Sequence, residues 1–381
     1  MKNPERMILP STYYFIHYAA LATLAAFQVL FYQSLGLKGS QIGLLTGIAP
    51  LVAMVSAPLW TGTADATHQH KLVLGLTISG SVVVALVIPG LPSFGWLIPF
   101  VVLLAFLSAP VIALIDSATM AQLGERRGRY GRIRLWGTVG WAVMAPIAGW
   151  VIDRLGLPWA YWMYAIGMAV ALLVAVNIPF HQERAGISFW HGMRTMLLNR
   201  RWMVFLTMVF ISGAGLATMY NYLFIYMESL GASKTMMGLS LTISTISEVP
   251  VLFFGDRLLR RFGTRGLMLM AMGMVGLRLV LYSTTSLPWV ILLIQLVHGL
   301  TFPAILVAGV AYADQMALPG MRATAQGMFG STLMGISAAT GGVLGGILID
   351  QVGPAMMYRI VGLVLLGSAA IFAGIFWKNK N

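Results

Sequence analysis

Tyr130-Gly-Arg-Ile-Arg-Leu-Trp-Gly-Thr-Val-Gly-Trp141 starts as a basic, turn-like loop and becomes an apolar helix without a break. Arg132 can stay in water, whereas Arg134 already belongs to the apolar segment. Trp141 follows seven residues later, on the same helical face. An arginine carried into an apolar helix is costly, so it marks function and calls for a partner. The acid at hand is Asp116, in the preceding apolar segment. The competing reading is that Arg134 snorkels to the surface beside Arg126, Arg127, Arg129 and Arg132.

That reading presumes a bilayer, and the composition supplies one. The chain has 381 residues, 59% hydrophobic and 9% charged, with a mean hydropathy of +0.84. A soluble domain carries about 25% charged residues. The fold class expected is all-α integral membrane. No cysteine is present, which excludes a disulfide framework, a thiol nucleophile and a Cys-ligated metal. The net charge of +13 falls in short loops between apolar segments, the pattern of an inner membrane protein and not of a nucleic-acid binder. The head Met1–Pro10 leads into a segment long enough to span and without a clear cleavage site, so it is read as a retained first helix.

A spanning helix needs about 20 apolar residues. Twelve are expected, near 11–33, 41–62, 72–92, 95–123, 131–153, 157–179, 202–229, 235–257, 264–284, 288–316, 322–348 and 354–377. No charge occurs from Leu72 to Ile115, enough for two crossings around the turn Pro89–Gly95. With this layout 19 Lys and Arg lie on the N-terminal side of the membrane and 4 on the other, Arg278 completing the 24. The bias predicts cytoplasmic N- and C-termini.

The halves repeat. Ser34-Leu-Gly-Leu-Lys-Gly-Ser-Gln-Ile-Gly-Leu44 matches Ser229-Leu-Gly-Ala-Ser-Lys-Thr-Met-Met-Gly-Leu239 at an offset of 195 residues. Each opens the second span of its half, and each second span ends in a Gly/Asp turn, at Gly62–Asp65 and Gly255–Asp256. The domains expected are a six-helix bundle over 1–179, a linker over 180–201 with the amphipathic piece Phe189–Arg194, and a second bundle over 202–381.

Twelve spans in two halves, with Gly62-Thr-Ala-Asp-Ala-Thr-His-Gln-His-Lys71 as a degenerate loop motif, resemble the major facilitator superfamily. Tyr130–Gly137, with Asp116 eighteen residues before Arg134, resembles the branch that holds lactose permease, the nucleoside–proton symporters and the phenylpropionate permease. The resemblance implies that Asp116 and Arg134 hold the solute and that Trp141 stacks on it. It implies that Glu248 binds solute and couples protons, with Arg278 and His298 in the coupling cluster. Where lactose permease has its proton-carrying glutamate, this chain has Thr301. The run His298-Gly-Leu-Thr-Phe302 looks more like the phenylpropionate-permease side.

The residues themselves allow structural roles as well. Asp116 and Arg134 suit an ion pair between spans, which a polar solute can replace. Trp141 suits packing between helices as readily as stacking. Glu248, in Ser244-Thr-Ile-Ser-Glu-Val-Pro250, is the only acid deep in the second half. Arg278 lacks a local acid and must reach another helix. His298 is a weaker signal, since a lone histidine is often a core residue. Tyr220 and Asn221 suit a cavity wall. Asp65, Lys71, Asp256 and Arg257 suit conformational gating between the halves, or simple topogenic charge.

The function expected is secondary transport of a small organic solute of the sugar, nucleoside or aromatic acid class by alternating access, with proton symport. The proton gradient is then the driving force, no cofactor or metal is called for, and the chain is expected to be monomeric. A proton-driven exporter of drugs or metabolites is the alternative. A membrane enzyme lacks a motif, since no H-E-x-x-H or G-x-S-x-G occurs. A non-transporting receptor with a transporter's fold stays open.

Overall fold

The computed structural model describes residues 5–123, 130–179, 196–317 and 321–378, all in helices and short connections. The helices are α1 (Glu5–Ala25), α2 (Gln28–Ser34), α3 (Gly39–Thr67), α4 (His70–Val87), α5 (Phe94–Leu123), α6 (Tyr130–Leu155), α7 (Trp159–Ala175), α8 (Arg200–Ser229), α9 (Lys234–Phe253), α10 (Gly255–Thr284), α11 (Pro288–Gln295), α12 (Phe302–Met316), α13 (Arg322–Gly330) and α14 (Ser337–Lys378). The linker piece Phe189–Arg194 lies outside the described residues.

Among the described residues, 10 segments are long and apolar enough to cross a membrane. Trp159–Ala175 is apolar but shorter. The last of the 10, Thr324–Phe376, covers 53 residues and turns at Gly353, where φ is 75° and ψ 169°. Glycine tolerates that backbone, and Pro354 keeps the preceding residue out of the helical region. The segment is therefore two helices joined at a corner. α10 breaks in the same way at Gly263, which separates its basic start from its apolar span.

The chain forms two compact units. The first contains Met1–Leu37, Ile48–Ala185 and Ser233–Thr242; the second contains Lys38–Gly47, Gly186–Ala232 and Ile243–Asn381. The units thus follow the two halves of the chain, except that each includes one helix start from the other half. In the first unit α1 packs on α6 and α7, and α4 on α5 and α7. In the second, α14 packs on α8 and α10, and α10 on α12.

The included helix starts are the repeated segments seen in the sequence. In the first unit Asp153, at the end of α6, accepts the backbone N–H groups of Lys234 and Thr235 at 2.9 and 2.9 Å and the Thr235 hydroxyl at 2.7 Å. In the second unit Asp350 accepts the N–H groups of Gly39 and Ser40 at 2.6 and 2.8 Å. A helix start has N–H groups with no partner inside the helix, and a carboxylate meets both that need and the helix dipole. The repeated glycines Gly238 and Gly43 lie one turn further on. A Cβ there would sit 2.3 Å from the Ala145 carbonyl oxygen and 2.6 Å from that of Gly342, respectively. Only glycine permits crossings that close.

Candidate functional site

Among the described residues, each unit gathers charged and aromatic groups within its spans. In the first unit, α1 brings Tyr14 and Tyr18 to one face, four residues apart. α6 brings Arg134 over both rings, its guanidinium carbon 5.4 Å from the Tyr14 centroid and 4.4 Å from that of Tyr18. The Tyr14 hydroxyl donates to Asp116 on α5. Tyr130, at the start of α6, meets the Tyr14 ring edge-on at 6.4 Å. Asp116 and Arg134 therefore meet through Tyr14, acid at its hydroxyl and cation at its ring face. The direct ion pair that the sequence suggests is not the arrangement found.

Arg134 and Asp116 are half-buried, a position that suits groups open to a solute. Trp141 is also half-buried, two turns further along α6; the aromatic partners of the cation are the tyrosines. His17 lies behind this face, buried and stacked on Tyr13 at 5.6 Å.

The second unit builds a layered cluster. Its geometry starts from a break between α11 and α12. α11 ends at Gln295, a single 3-10 turn holds His298–Leu300, and α12 starts at Phe302 with Pro303 in its first turn. Pro303 lacks an N–H and fits a helix's first turn. Gly299 lets α9 approach, since a Cβ there would sit 2.1 Å from the Ser247 carbonyl oxygen. That approach puts His298 beside Glu248.

His298 Nε2 lies 2.9 Å from Glu248 Oε1 and 3.2 Å from the Tyr220 hydroxyl. On the other side of the ring, Nδ1 lies 2.7 Å from Arg278 Nη1. A guanidinium has only donors, so Nδ1 accepts and Nε2 carries the hydrogen that points to Glu248. Arg278 also donates to Thr301 Oγ1 at 3.3 Å and to Gln295 Oε1. Exposure falls with depth: Tyr220 is 42% exposed and the Glu248 side chain 23%, but His298 2% and Arg278 1%. Glu248 and Tyr220 form the open side, and the imidazole separates them from the buried cation. His298 stands between Glu248 and Arg278 and joins them.

Asn221 does not belong to this cluster. It lies one residue beyond Tyr220, on the side of α8 that faces α14, where its Nδ2 is 3.3 Å from the position of a Cβ on Gly342. Its neighbour Tyr222 donates to the Gly342 carbonyl there at 2.6 Å.

Of the residues expected to gate, Asp65, Lys71 and Arg257 have contacts inside their own units. Asp65 accepts from His70 Nε2 at 2.8 Å, and Lys71 donates to the Val176 carbonyl at 3.1 Å. Asp256 lies in the first turn of α10, where its charge suits the helix dipole. Arg257 covers the Phe254 ring at 4.9 Å. Outside this set, Arg322 pairs with Asp314 at 3.1 Å. Among the described residues no group of three or more His, Cys, Asp or Glu could hold a metal.

Sequence reasoning missed Tyr14, Tyr18, Gln295 and Tyr282. The signal for Gln295 was present: Gln295, His298 and Thr301 recur every three residues in an apolar run. The tyrosines carried none beyond the spacing of Tyr14 and Tyr18, because an aromatic in an apolar helix is usually packing.

Known proteins resemble this chain along most of its length. The maltose permease of Geobacillus stearothermophilus is 26% identical over 372 residues, covering 95% of this chain and 94% of that protein. A protein named probable 3-phenylpropionic acid transporter, from Escherichia coli, is 24% identical over 378 residues, covering 94% and 97%. The solved structure of the nucleoside transporter NupG, as its D323A mutant, superposes with a TM-score of 0.85 at 20% identity, covering 98% and 99%. The family described as the MFS_1 like family matches residues 8–360. The chain belongs to that family, within the major facilitator superfamily, and is an integral membrane transporter and not an enzyme.

Proposed function

We propose that this protein carries a small organic solute across the cytoplasmic membrane by alternating access, in symport with protons. The observation that supports it best is the Glu248–His298–Arg278 relay inside spanning helices. Ionisable groups in a bilayer are expensive and mark solute and proton pathways. Glu248 is the proton-carrying group: it faces the open side, and its hydrogen-bond donor is an imidazole already neutral. Asp116 and Arg134, with the half-buried Tyr18 ring, are the solute-binding groups of the first unit, and the fully buried Tyr14 positions both charges. A tyrosine ring and a guanidinium suit a solute with a flat or ring-shaped body and hydroxyl or carboxylate groups. Sugars, nucleosides and aromatic acids share that chemistry, and the names of the relatives fall in the same range. Twelve spans, cytoplasmic termini, an inner-membrane location, a monomeric state and the proton gradient as the only driving force belong to the same reading.

Solute-driven proton movement in proteoliposomes tests it. Wild type is expected to move protons with a maltoside, nucleoside or phenylpropanoate gradient. Glu248→Gln is expected to bind solute without moving protons, and Asp116→Asn to lose solute affinity. If both variants transport like wild type, the charged groups are scaffolding and the proposal fails.

A further inference from the structure

Arg278 is the one Lys, Arg, Asp or Glu among the described residues that is fully buried. Its acceptors are all neutral: Gln295 Oε1, His298 Nδ1 and Thr301 Oγ1. The centroid of the Tyr282 ring lies 5.5 Å from the Arg278 guanidinium carbon. A buried cation held by neutral groups depends on where those groups point. Gln295 is itself 1% exposed and sits at the last position of α11. The Tyr282 hydroxyl donates to the same oxygen at 3.3 Å, and the Ser247 hydroxyl to the Gln295 carbonyl at 3.3 Å. The amide is thus oriented from α10 and its backbone tied to α9.

We infer that Gln295 is a positioning residue: it holds the Arg278 guanidinium against His298 Nδ1 and so keeps His298 a neutral Nε2–H imidazole facing Glu248. The guanidinium has two anchored nitrogens. Nη2 is held at Gln295, and Nη1 is then presented to the ring. Charging the imidazole requires a hydrogen at Nδ1, which the Arg278 contact forbids. The groups that face His298 are Arg278 from α10, Glu248 from α9, Tyr220 from α8 and Thr301 from its own connection. Of these, Glu248 is the acidic acceptor, and it stands on the open side of the ring. Gln295 thereby assigns the proton to Glu248 and denies it to the histidine. The functional meaning of the device rests on Glu248 being the proton carrier, but its geometry does not.

The test is the ring nitrogen spectrum of His298 in the full-length protein, in nanodiscs, with ¹⁵N-labelled histidine. The chain has 6 histidines, and the signals lost in His298→Gln identify the one in question. In wild type, His298 is expected to keep one bare and one protonated nitrogen through about pH 6.5, where an ordinary histidine titrates. Gln295→Met removes the acceptor at similar length, and there His298 is expected to titrate near that pH. Gln295→Glu keeps an acceptor oxygen and is expected to keep the wild-type spectrum. Gln295→Asn, one methylene shorter, is the milder variant should Gln295→Met not fold, and is expected to titrate in part. A wild-type His298 that titrates near pH 6.5 overturns the inference, as does an unchanged spectrum in Gln295→Met or, in its place, Gln295→Asn. Proton movement in proteoliposomes is scored separately. Its absence beside the expected spectra removes the transport reading and leaves the positioning role standing.

Discussion

At the scale of single residues, the second cluster depends on one position that has no side chain. Gly299 has no room for a methyl group against the Ser247 carbonyl, so Gly299→Ala must push α9 away from His298. The expected cost is about 1–3 kcal/mol, as for other overpacked sites. It is read as a lowered unfolding midpoint together with weaker solute binding. A change confined to stability would mean that the α9 spacing is irrelevant to the site. In the first cluster, Tyr14→Phe removes the hydroxyl that donates to Asp116 but keeps the ring under Arg134. Solute affinity is expected to fall about ten- to 150-fold, the equivalent of about 1.5–3 kcal/mol for a lost hydrogen bond to a charged group. Equilibrium binding to Tyr14→Phe and Tyr14→Leu separates the hydroxyl from the ring, with the larger loss expected in Tyr14→Leu.

At the scale of elements, the repeat at an offset of 195 residues acquires a physical meaning. It preserves a helix start whose free N–H groups are met by an aspartate on another helix, followed by a glycine where that helix crosses. Both aspartates are exposed, so solvent screens the effect. Asp153→Ala and Asp350→Ala are each expected to cost about 1 kcal/mol, in the range for lost helix caps. The double variant is expected to cost the sum, because the two caps lie in different units and share no partner. Chemical denaturation of the four proteins checks this. A double variant no worse than either single would show that the caps act as one device.

At the scale of the whole molecule, the testable property is orientation. The chain has no cysteine, so single-cysteine variants need no background removal. Lys38→Cys and Lys234→Cys, at the two repeated helix starts, are expected to react with an impermeant thiol reagent from outside intact cells. Lys71→Cys and Arg322→Cys are expected to react only after the membrane is opened. The reverse pattern would invert the placement of the termini drawn from the Lys and Arg bias.

Composition and periodicity alone determined that the chain is helical, spans a membrane and divides into two related halves. Apolar runs of spanning length have one stable form in lipid, since every backbone polar group must be satisfied within its own helix. The buried charges Asp116, Arg134, Glu248 and Arg278 were legible for the same reason: each is conspicuous where charge is costly. Their partners were not. Which group stands between two charges depends on helix rotation and crossing distance, which a sequence does not state. Only the tertiary structure places Tyr14 between Asp116 and Arg134, and His298 between Glu248 and Arg278. It alone brings Gln295 onto the buried guanidinium, because the break after α11 and the missing side chain of Gly299 set the angle at which these helices meet.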